Sequence, residues 1–290
     1  MSNSRLRIAI QKKGRLNEDS EDILRQCGLR FHPRSLLCHV ENVEIDILFV
    51  RDDDIPTLVN DGICNLGIVG ANVLEERNSK ETLNNIDVVK SLGFGRCQLA
   101  IAVPNEMTYH NIESLSGCRI ATSYPALLNK FLIKNKVNAT ILDLSGSVEI
   151  APQLSMADAI CDLVSTGRTL EENRLKSVET VFESEAMLIQ NKKALSATQQ
   201  STWDVLLRRL DGVLQARDCK YILFHAPKNN LDAITRLLPG VEHPTIMSLN
   251  EETVVVHVVS REKIFWNTLE AIKAAGASSI LVLPIEKMMS

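Results

Sequence analysis

Aromatic residues are scarce: seven Phe, three Tyr and two Trp make up 4% of 290 residues. A core without them must be aliphatic, which suits parallel strands of Val, Ile and Leu buried on both faces. A basic excess is also missing. Lys and Arg number 32 against 36 Asp and Glu, a formal charge of −4. Without a net basic face the chain is not built to grip nucleic acid by its phosphate backbone, although a local basic pocket for a small anion stays open. No apolar run approaches the ~18 residues of a membrane span, and Met-Ser-Asn-Ser-Arg-Leu-Arg at the start lacks the apolar stretch of a secretory signal. These absences predict a cytoplasmic protein with neither nucleic acid nor membrane as a partner. Seven cysteines, at positions 27, 38, 64, 97, 118, 161 and 219, are scattered and odd in number with no Cys-x-x-Cys, so buried free thiols are expected rather than disulfides or structural zinc. Six histidines, at 32, 39, 110, 225, 243 and 257, show no metal-ligand spacing.

What is present is an ordinary globular composition, 45% apolar and 23% charged, over a length that allows one large domain or two or three small ones. The pattern predicts strand 5–11, helix 17–27, a hairpin over 31–42, strand 45–50, a helix opened by Asp54-Ile-Pro, and strand 66–70. Strands follow at 88–92 and 98–103. It then restarts with strand 119–122, helix 126–135, strand 139–144, helix 148–154 and strand 159–164. Strand, small-residue turn and helix repeated twice predict two α/β lobes with a cleft between them. From about 219 the order becomes βαββαβ, the ferredoxin-like plan, with its second helix expected over 262–275. An amphipathic helix over 203–215 precedes it. The fold class is therefore α/β, with lobe I over 1–100 and 182–217, lobe II over 101–181, and a small domain over 218–290.

The most informative stretch is Asp158-Ala-Ile-Cys-Asp162-Leu-Val-Ser-Thr-Gly-Arg-Thr169. An apolar strand carries an acid and runs into a turn whose backbone N–H groups can converge on a phosphate. Ser165, Thr166 and Thr169 add hydroxyls, Gly167 lets the backbone approach closely, and Asp162 can accept from ribose hydroxyls. The bland alternative is a β-to-α turn with a capping hydroxyl. This stretch resembles the phosphoribosyl-pyrophosphate loop of phosphoribosyltransferases, with one departure: Leu163 follows Asp162 where the widespread form has a second acid.

With Gln11-Lys-Lys-Gly-Arg-Leu16, Arg51-Asp-Asp-Asp-Ile-Pro56, Leu66-Gly-Ile-Val-Gly70, Ala121-Thr-Ser-Tyr-Pro125, Gly146-Ser-Val-Glu149 and Gly276-Ala-Ser-Ser-Ile-Leu281, the whole chain resembles the long form of the ATP phosphoribosyltransferases, which open histidine biosynthesis. The resemblance implies a two-lobed catalytic core like periplasmic binding proteins and a C-terminal ACT-like regulatory domain. It implies joining of adenine N1 of ATP to C1 of the phosphoribosyl group with loss of pyrophosphate. Magnesium as cofactor, feedback inhibition by histidine, and a dimer–hexamer equilibrium are implied as well.

Carried onto this sequence, Lys13, Arg15 and Asp162 are the catalytic candidates. Glu149, Asp158, Asp162, Ser165, Thr166, Gly167, Arg168 and Thr169 would hold phosphoribosyl pyrophosphate. Gly14, Arg15, Arg51 and Tyr124 would hold ATP. Glu149 could equally cap a helix, and Tyr124 could stack on adenine or pack as a hinge aromatic. Asp54 reads best as a helix cap, and magnesium is expected to ride mainly on substrate phosphates. His225, Thr245, Ala277 and Ser278 are candidates for a histidine pocket. Asn65 stands where the family pattern has Asp. Two competing readings are a binding module without turnover, since such lobes also serve as receptors, and prephenate dehydratase, whose Thr-Arg-Phe motif is absent because Leu237 follows Thr235-Arg236.

Overall fold

The computed structural model describes residues 5–33, 35–80, 83–217, 219–238, 244–260 and 266–289. The chain divides into two compact units, Met1–Asp22 with Leu29–Thr202, and Ile23–Gly28 with Trp203–Ser290.

The larger unit holds two sheets. The first is built from β1 (Leu6–Gln11), β2 (Leu37–His39), β3 (Ile45–Val50), β4 (Leu66–Gly70) and β5 (Ile86–Ser91), with α1 (Asn17–Gln26), α2 (Ile55–Asn60) and α3 (Ala71–Lys80) between them. The second contains β6 (Cys97–Pro104), β7 (Arg119–Thr122), β8 (Thr140–Asp143), β9 (Ala159–Val164) and β10 (Leu175–Ser184), with α4 (Pro125–Lys134) and α5 (Arg168–Glu172). The chain then returns to the first sheet as β11 (Ala186–Asn191) and leaves through α6 (Ala197–Arg217). Strand orders are β2-β3-β1-β4-β11-β5 and β10-β6-β9-β7-β8.

Each sheet is mixed. In the first sheet a parallel centre, β3-β1-β4, has antiparallel strands on both sides, whereas in the second the parallel trio β9-β7-β8 ends at the sheet edge and has antiparallel β6 and β10 on its other side only. The inner parallel strands β1, β4, β7 and β9 are largely buried, mostly apolar runs, as strands covered on both faces require. In the second sheet, Leu99, Ile101 and Ile120 pack on one face while Ala102, Ala121 and Ile160 pack on the other. The chain crosses between the sheets twice, at 92–96 and at Glu185, and the two crossings pair with each other. Leu92 N–H donates to Ala186 (2.9 Å) and Ala186 N–H to Phe94 (3.0 Å).

The smaller unit ends in β12 (Lys220–Pro227), α7 (Leu231–Arg236), β13 (Thr245–Ser248), β14 (Thr253–Ser260), α8 (Trp266–Ala274) and β15 (Ser278–Pro284). The order β13-β14-β12-β15 with antiparallel neighbours is the ferredoxin-like arrangement, with Ile222, Phe224, Val256 and Ile272 in its core.

Several local expectations change. The hairpin over 31–42 is replaced by the three-residue β2 pairing with β3, because Pro33 offers no N–H for a ladder while Phe49 and Val40 bond across to Leu36 and Ile45. The helix over 148–154 is only a 3-10 turn, Val148–Ile150, since Pro152 stops it. Helix 203–215 is the inner part of the longer α6. The start of the helix expected at 262, and His243, lie outside the described residues. All seven cysteines are free thiols. Among the described residues no helix is long and apolar enough to cross a membrane.

Candidate active site

Lys13, Gly14, Arg15, Arg51, Tyr124, Glu149, Asp162 and the Ser165–Thr169 turn sit at or just after the carboxyl ends of parallel strands, the place where open α/β sheets bind ligands. After β1 the chain folds over Gln11, whose Oε1 accepts the Leu16 N–H at 2.9 Å and whose carbonyl accepts from Asn17 Nδ2 at 2.8 Å. Gly14 makes this turn possible: its φ is +120°, and a Cβ there would stand 2.6 Å from Gln11 Nε2. The turn sends Arg15 inward while Lys13 stays exposed. The guanidinium runs past two glycines. A Cβ on Gly70 would lie 3.4 Å from Nη2, and one on Gly95 would lie 3.3 Å from Nη1. Arg15 Nη1 is buried and has no hydrogen-bond partner among the described residues. Lys13, Lys12, Arg51 and Asp52–Asp54 border a cavity of about 490 Å³.

Across the unit, β9 carries Asp162 into the Ser165–Thr169 turn. Burial, and then the nearby Glu149, push the Asp162 carboxyl above its ordinary value, while the Leu163 N–H donates to it at 2.7 Å. Ser165 and Thr166 are exposed, and Gly167 takes φ +81° at the head of α5. Arg168 is engaged with Glu172 at 2.8 Å rather than turned to the loop. Ser165 also lines a cavity of about 630 Å³ with Arg96, Cys97 and Ser184 at the crossings. Glu149 stands on its 3-10 turn after Gly146 and the left-handed Ser147, not at the start of an α-helix.

Asp158 does not join this group. It lies at the opposite end of β9, four residues and about 13 Å from Asp162 at strand spacing. There it accepts from Arg119 Nη2 (2.9 Å), Nε (3.2 Å) and the backbone N–H (2.8 Å), and those bonds hold its carboxyl below the usual range. Asp54 occupies the N-cap position of α2 but makes no side-chain cap bond. Burial and Asp53 push Asp52 up. Among the described residues no group of three or more His, Cys, Asp or Glu could hold a metal.

Tyr124 lies between these two groups of residues. Burial, then Asp52 and Asp53, and also Asp162, raise its phenol well above the ordinary value, while its Oη accepts from Asn72 Nδ2 at 3.0 Å. Asn72 in turn accepts from Ser184 Oγ at 2.7 Å and donates its N–H back at 3.1 Å. Glu76 accepts the N–H groups of Ala126 (3.0 Å) and Leu127 (2.8 Å) at the start of α4. Asn72, Glu76 and Ser184 were not among the sequence candidates. The signal for Glu76 was present: an acid three residues after Val73 on a buried helix face, and a helix opening at Tyr124-Pro125 with no capping side chain of its own.

Asn65 is placed far from these residues. Its Oδ1 accepts the Arg7 N–H (2.8 Å) and its backbone bonds Arg7 and Asn191, so it splices β4 between β1 and β11. In the smaller unit, His225 and Thr245 lie on the sheet face away from the helices, with His257 between their strands and Ser278 opposite His225. Ala277 is instead in the core with Ile272, on the helix side, and lines nothing on that outer face.

A family model described as ATP phosphoribosyltransferase matches residues 51–212, more than half of the chain, and a model described as the HisG C-terminal domain matches 216–287. The solved structure of an ATP phosphoribosyl transferase (HisG:HisZ) complex from Thermotoga maritima contains a chain 27% identical, with a TM-score of 0.58, over 71% of this chain and 98% of that one. The alkanesulfonate-binding protein SsuA from Xanthomonas axonopodis pv. citri is 16% identical with a TM-score of 0.46, over 80% of this chain and 77% of that one. The class so defined is a pentosyltransferase. The chain belongs to the ATP phosphoribosyltransferase family, in the long form with the additional C-terminal domain, and its reaction is the first step of histidine biosynthesis.

Proposed function

We propose that the larger unit binds ATP and phosphoribosyl pyrophosphate together at the carboxyl ends of its two sheets, and that the residues on each side divide the work. The reaction forms a bond between adenine N1 and ribosyl C1 and breaks the bond from C1 to pyrophosphate. Positive charge grows on the ribose ring and negative charge on the leaving diphosphate, and preorganised groups aimed at those charges supply the largest catalytic contribution. The observation that carries this reading is Arg15, whose half-buried side chain carries a buried Nη1 with no partner among the described residues, a costly arrangement unless an anion completes it.

Arg15, with Gly14, Lys13 and Arg51 at the mouth, takes the polyphosphate of ATP. The Ser165–Thr169 turn, through its backbone N–H groups and hydroxyls, takes phosphate of the phosphoribosyl donor. Asp162 and Glu149 accept from the ribose hydroxyls, and their negative charge faces the ring as it becomes cationic. Tyr124 Oη accepts from Asn72, so its own proton is left to donate to a substrate oxygen. Holding both substrates in line removes much of the entropy cost of a bimolecular step.

Magnesium fits this donor set as an ion held by diphosphate oxygens and water, which is how the ion ordinarily binds beside few carboxylates. When bound there it would neutralise charge on the leaving diphosphate.

The finer parts of the reading concern control and setting. The ACT-like unit would bind histidine as feedback inhibitor on the sheet face that carries His225, Thr245 and Ser278. Homo-oligomerisation between dimer and hexamer would use exposed apolar residues of that unit, such as Leu281 and Leu283. The enzyme would work in the cytoplasm, where its free thiols persist.

Incubating the protein with ATP, the phosphoribosyl donor and magnesium tests the core of the proposal. Phosphoribosyl-ATP and pyrophosphate should form in equal amounts, and no product from folded protein would overturn it. Histidine should lower the rate, with a coupling of about 5–150-fold between effector and substrate affinity. Calorimetric histidine binding indifferent to bound substrate would remove the control.

A further inference from the structure

Helix α4 begins without a cap of its own. Its N-cap residue is Tyr124, whose side chain makes no capping bond, and Pro125 follows it. The orphan N–H groups of a first helical turn need acceptors, and here the acceptor comes from the other lobe. Both carboxylate oxygens of Glu76, on α3, take the N–H groups of Ala126 and Leu127. The residue is 5% exposed. A buried carboxylate aimed along a helix axis at its positive end is a directional contact that tolerates little displacement.

The same face of α3 makes a second contact. Asn72, four residues before Glu76 and so one turn away on that face, is 1% exposed and donates to Tyr124 Oη. Its amide cannot flip without loss, because Oδ1 is committed to Ser184 Oγ beside the chain crossing. The room for it comes from Gly70: a Cβ there would stand 2.4 Å from Asn72 Oδ1. Glu75 adds an exposed ion pair to Lys130 at 2.8 Å. One helix of the first lobe therefore fixes both the main chain after Tyr124 and the phenol itself, which belong to the second lobe.

We propose that Glu76 and Asn72 are positioning residues of the transferase reaction, holding Tyr124 in a single orientation between the two lobes. The inference rests on the placement of Tyr124 in the substrate site. Asn72, as donor, leaves the Tyr124 proton directed at substrate, and Glu76 sets the lobe register in which that direction is useful.

The test is a double-variant cycle on kcat/KM with ATP and the phosphoribosyl donor, in the full chain, beside thermal unfolding of each variant. Tyr124→Phe and Asn72→Ala should each lower kcat/KM about tenfold, the value of one buried hydrogen bond to a neutral group. Their combination should be no worse than either alone, because Asn72 acts only through the hydroxyl. Glu76→Gln should lower kcat about 30-fold, in keeping with loss of charged hydrogen bonds. Its loss should shrink in the Tyr124→Phe background. A merely structural pair would lower the unfolding midpoint and leave the kinetics of folded protein unchanged. If Glu76→Gln does not fold, the Asn72 cycle still decides. Full activity in Tyr124→Phe overturns the role of the hydroxyl and the inference with it. An impaired Tyr124→Phe beside wild-type Asn72→Ala, or losses that multiply in the double variant, overturns the inference alone.

Discussion

Asp158, just before β9, and Asp162, within its second half, are the same residue with opposite electrostatics. Asp158 is bound by Arg119 through three hydrogen bonds and held below the ordinary carboxyl range, while Asp162 is raised by burial and by Glu149. An acid whose charge is fully satisfied has nothing left to offer a substrate. An acid kept short of partners is stabilised when a hydroxyl donor or a developing cation arrives. The same contrast separates Arg168, paired with Glu172, from Arg15, whose Nη1 has no partner among the described residues. On the proposed reading, unspent charge rather than residue type marks the substrate-binding edge of this unit.

The contrast can be pressed from its strongest consequence to its weakest. Removing the unpartnered cation with Arg15→Ala should lower formation of phosphoribosyl-ATP about 10²–10³-fold, measured by steady-state assay; a loss under threefold would return Arg15 to a packing role. Asp162→Asn should raise the unfolding midpoint at pH 7 by about 2–4 °C while the enzyme loses turnover. The sign follows from the raised carboxyl: burial of its charge costs nothing below its ordinary value of 3.8, and stability is lost as pH rises through the higher folded value. The gain in the Asn variant should therefore vanish near pH 3.5, and a pH-independent gain would mean another cause.

Asp158→Asn should behave in the opposite way. Its lowered carboxyl contributes stability above the ordinary value, and that contribution is lost as pH falls through the folded one. Because the pair with Arg119 is solvent-exposed, the midpoint at pH 7 should drop by only about 1 °C, with the difference closing in acid. The smallest effect is expected from Asn65→Asp. The new carboxylate can still accept the Arg7 N–H, so kcat/KM should stay within about twofold. A larger change would place position 65 in the chemistry.

Much of the candidate site was legible before the fold because it is written in short turns. Gly14 and Arg15 after one strand, and Asp162 with Gly167 after another, combine glycines that permit unusual backbone with charged residues at strand ends. The central strands were legible for a related reason, since buried parallel strands are unbroken aliphatic runs. Asp158 could not be told from Asp162 in this way: both are acids of one strand, and what distinguishes them is Arg119, 39 residues away. The antiparallel β10 and β11 were missed because two register shifts break the period-two alternation of β10, so it carries no clean strand signal, although β11 is what returns the chain to the first sheet. Ala277 was grouped with the histidine-pocket candidates, and its place in the core beside Ile272 follows only from the folded domain. Glu76 and Asn72 carry no motif, for their partners lie about fifty residues ahead in the other lobe.

The most direct test of whether unspent charge marks the catalytic edge is kcat/KM for the phosphoribosyl donor, measured side by side in the unsubstituted enzyme, Asp158→Asn and Asp162→Asn. A fall of about 100-fold or more at Asp162, with Asp158 within about twofold, is the predicted result. Equal losses at the two positions, or a larger loss at Asp158, would contradict it.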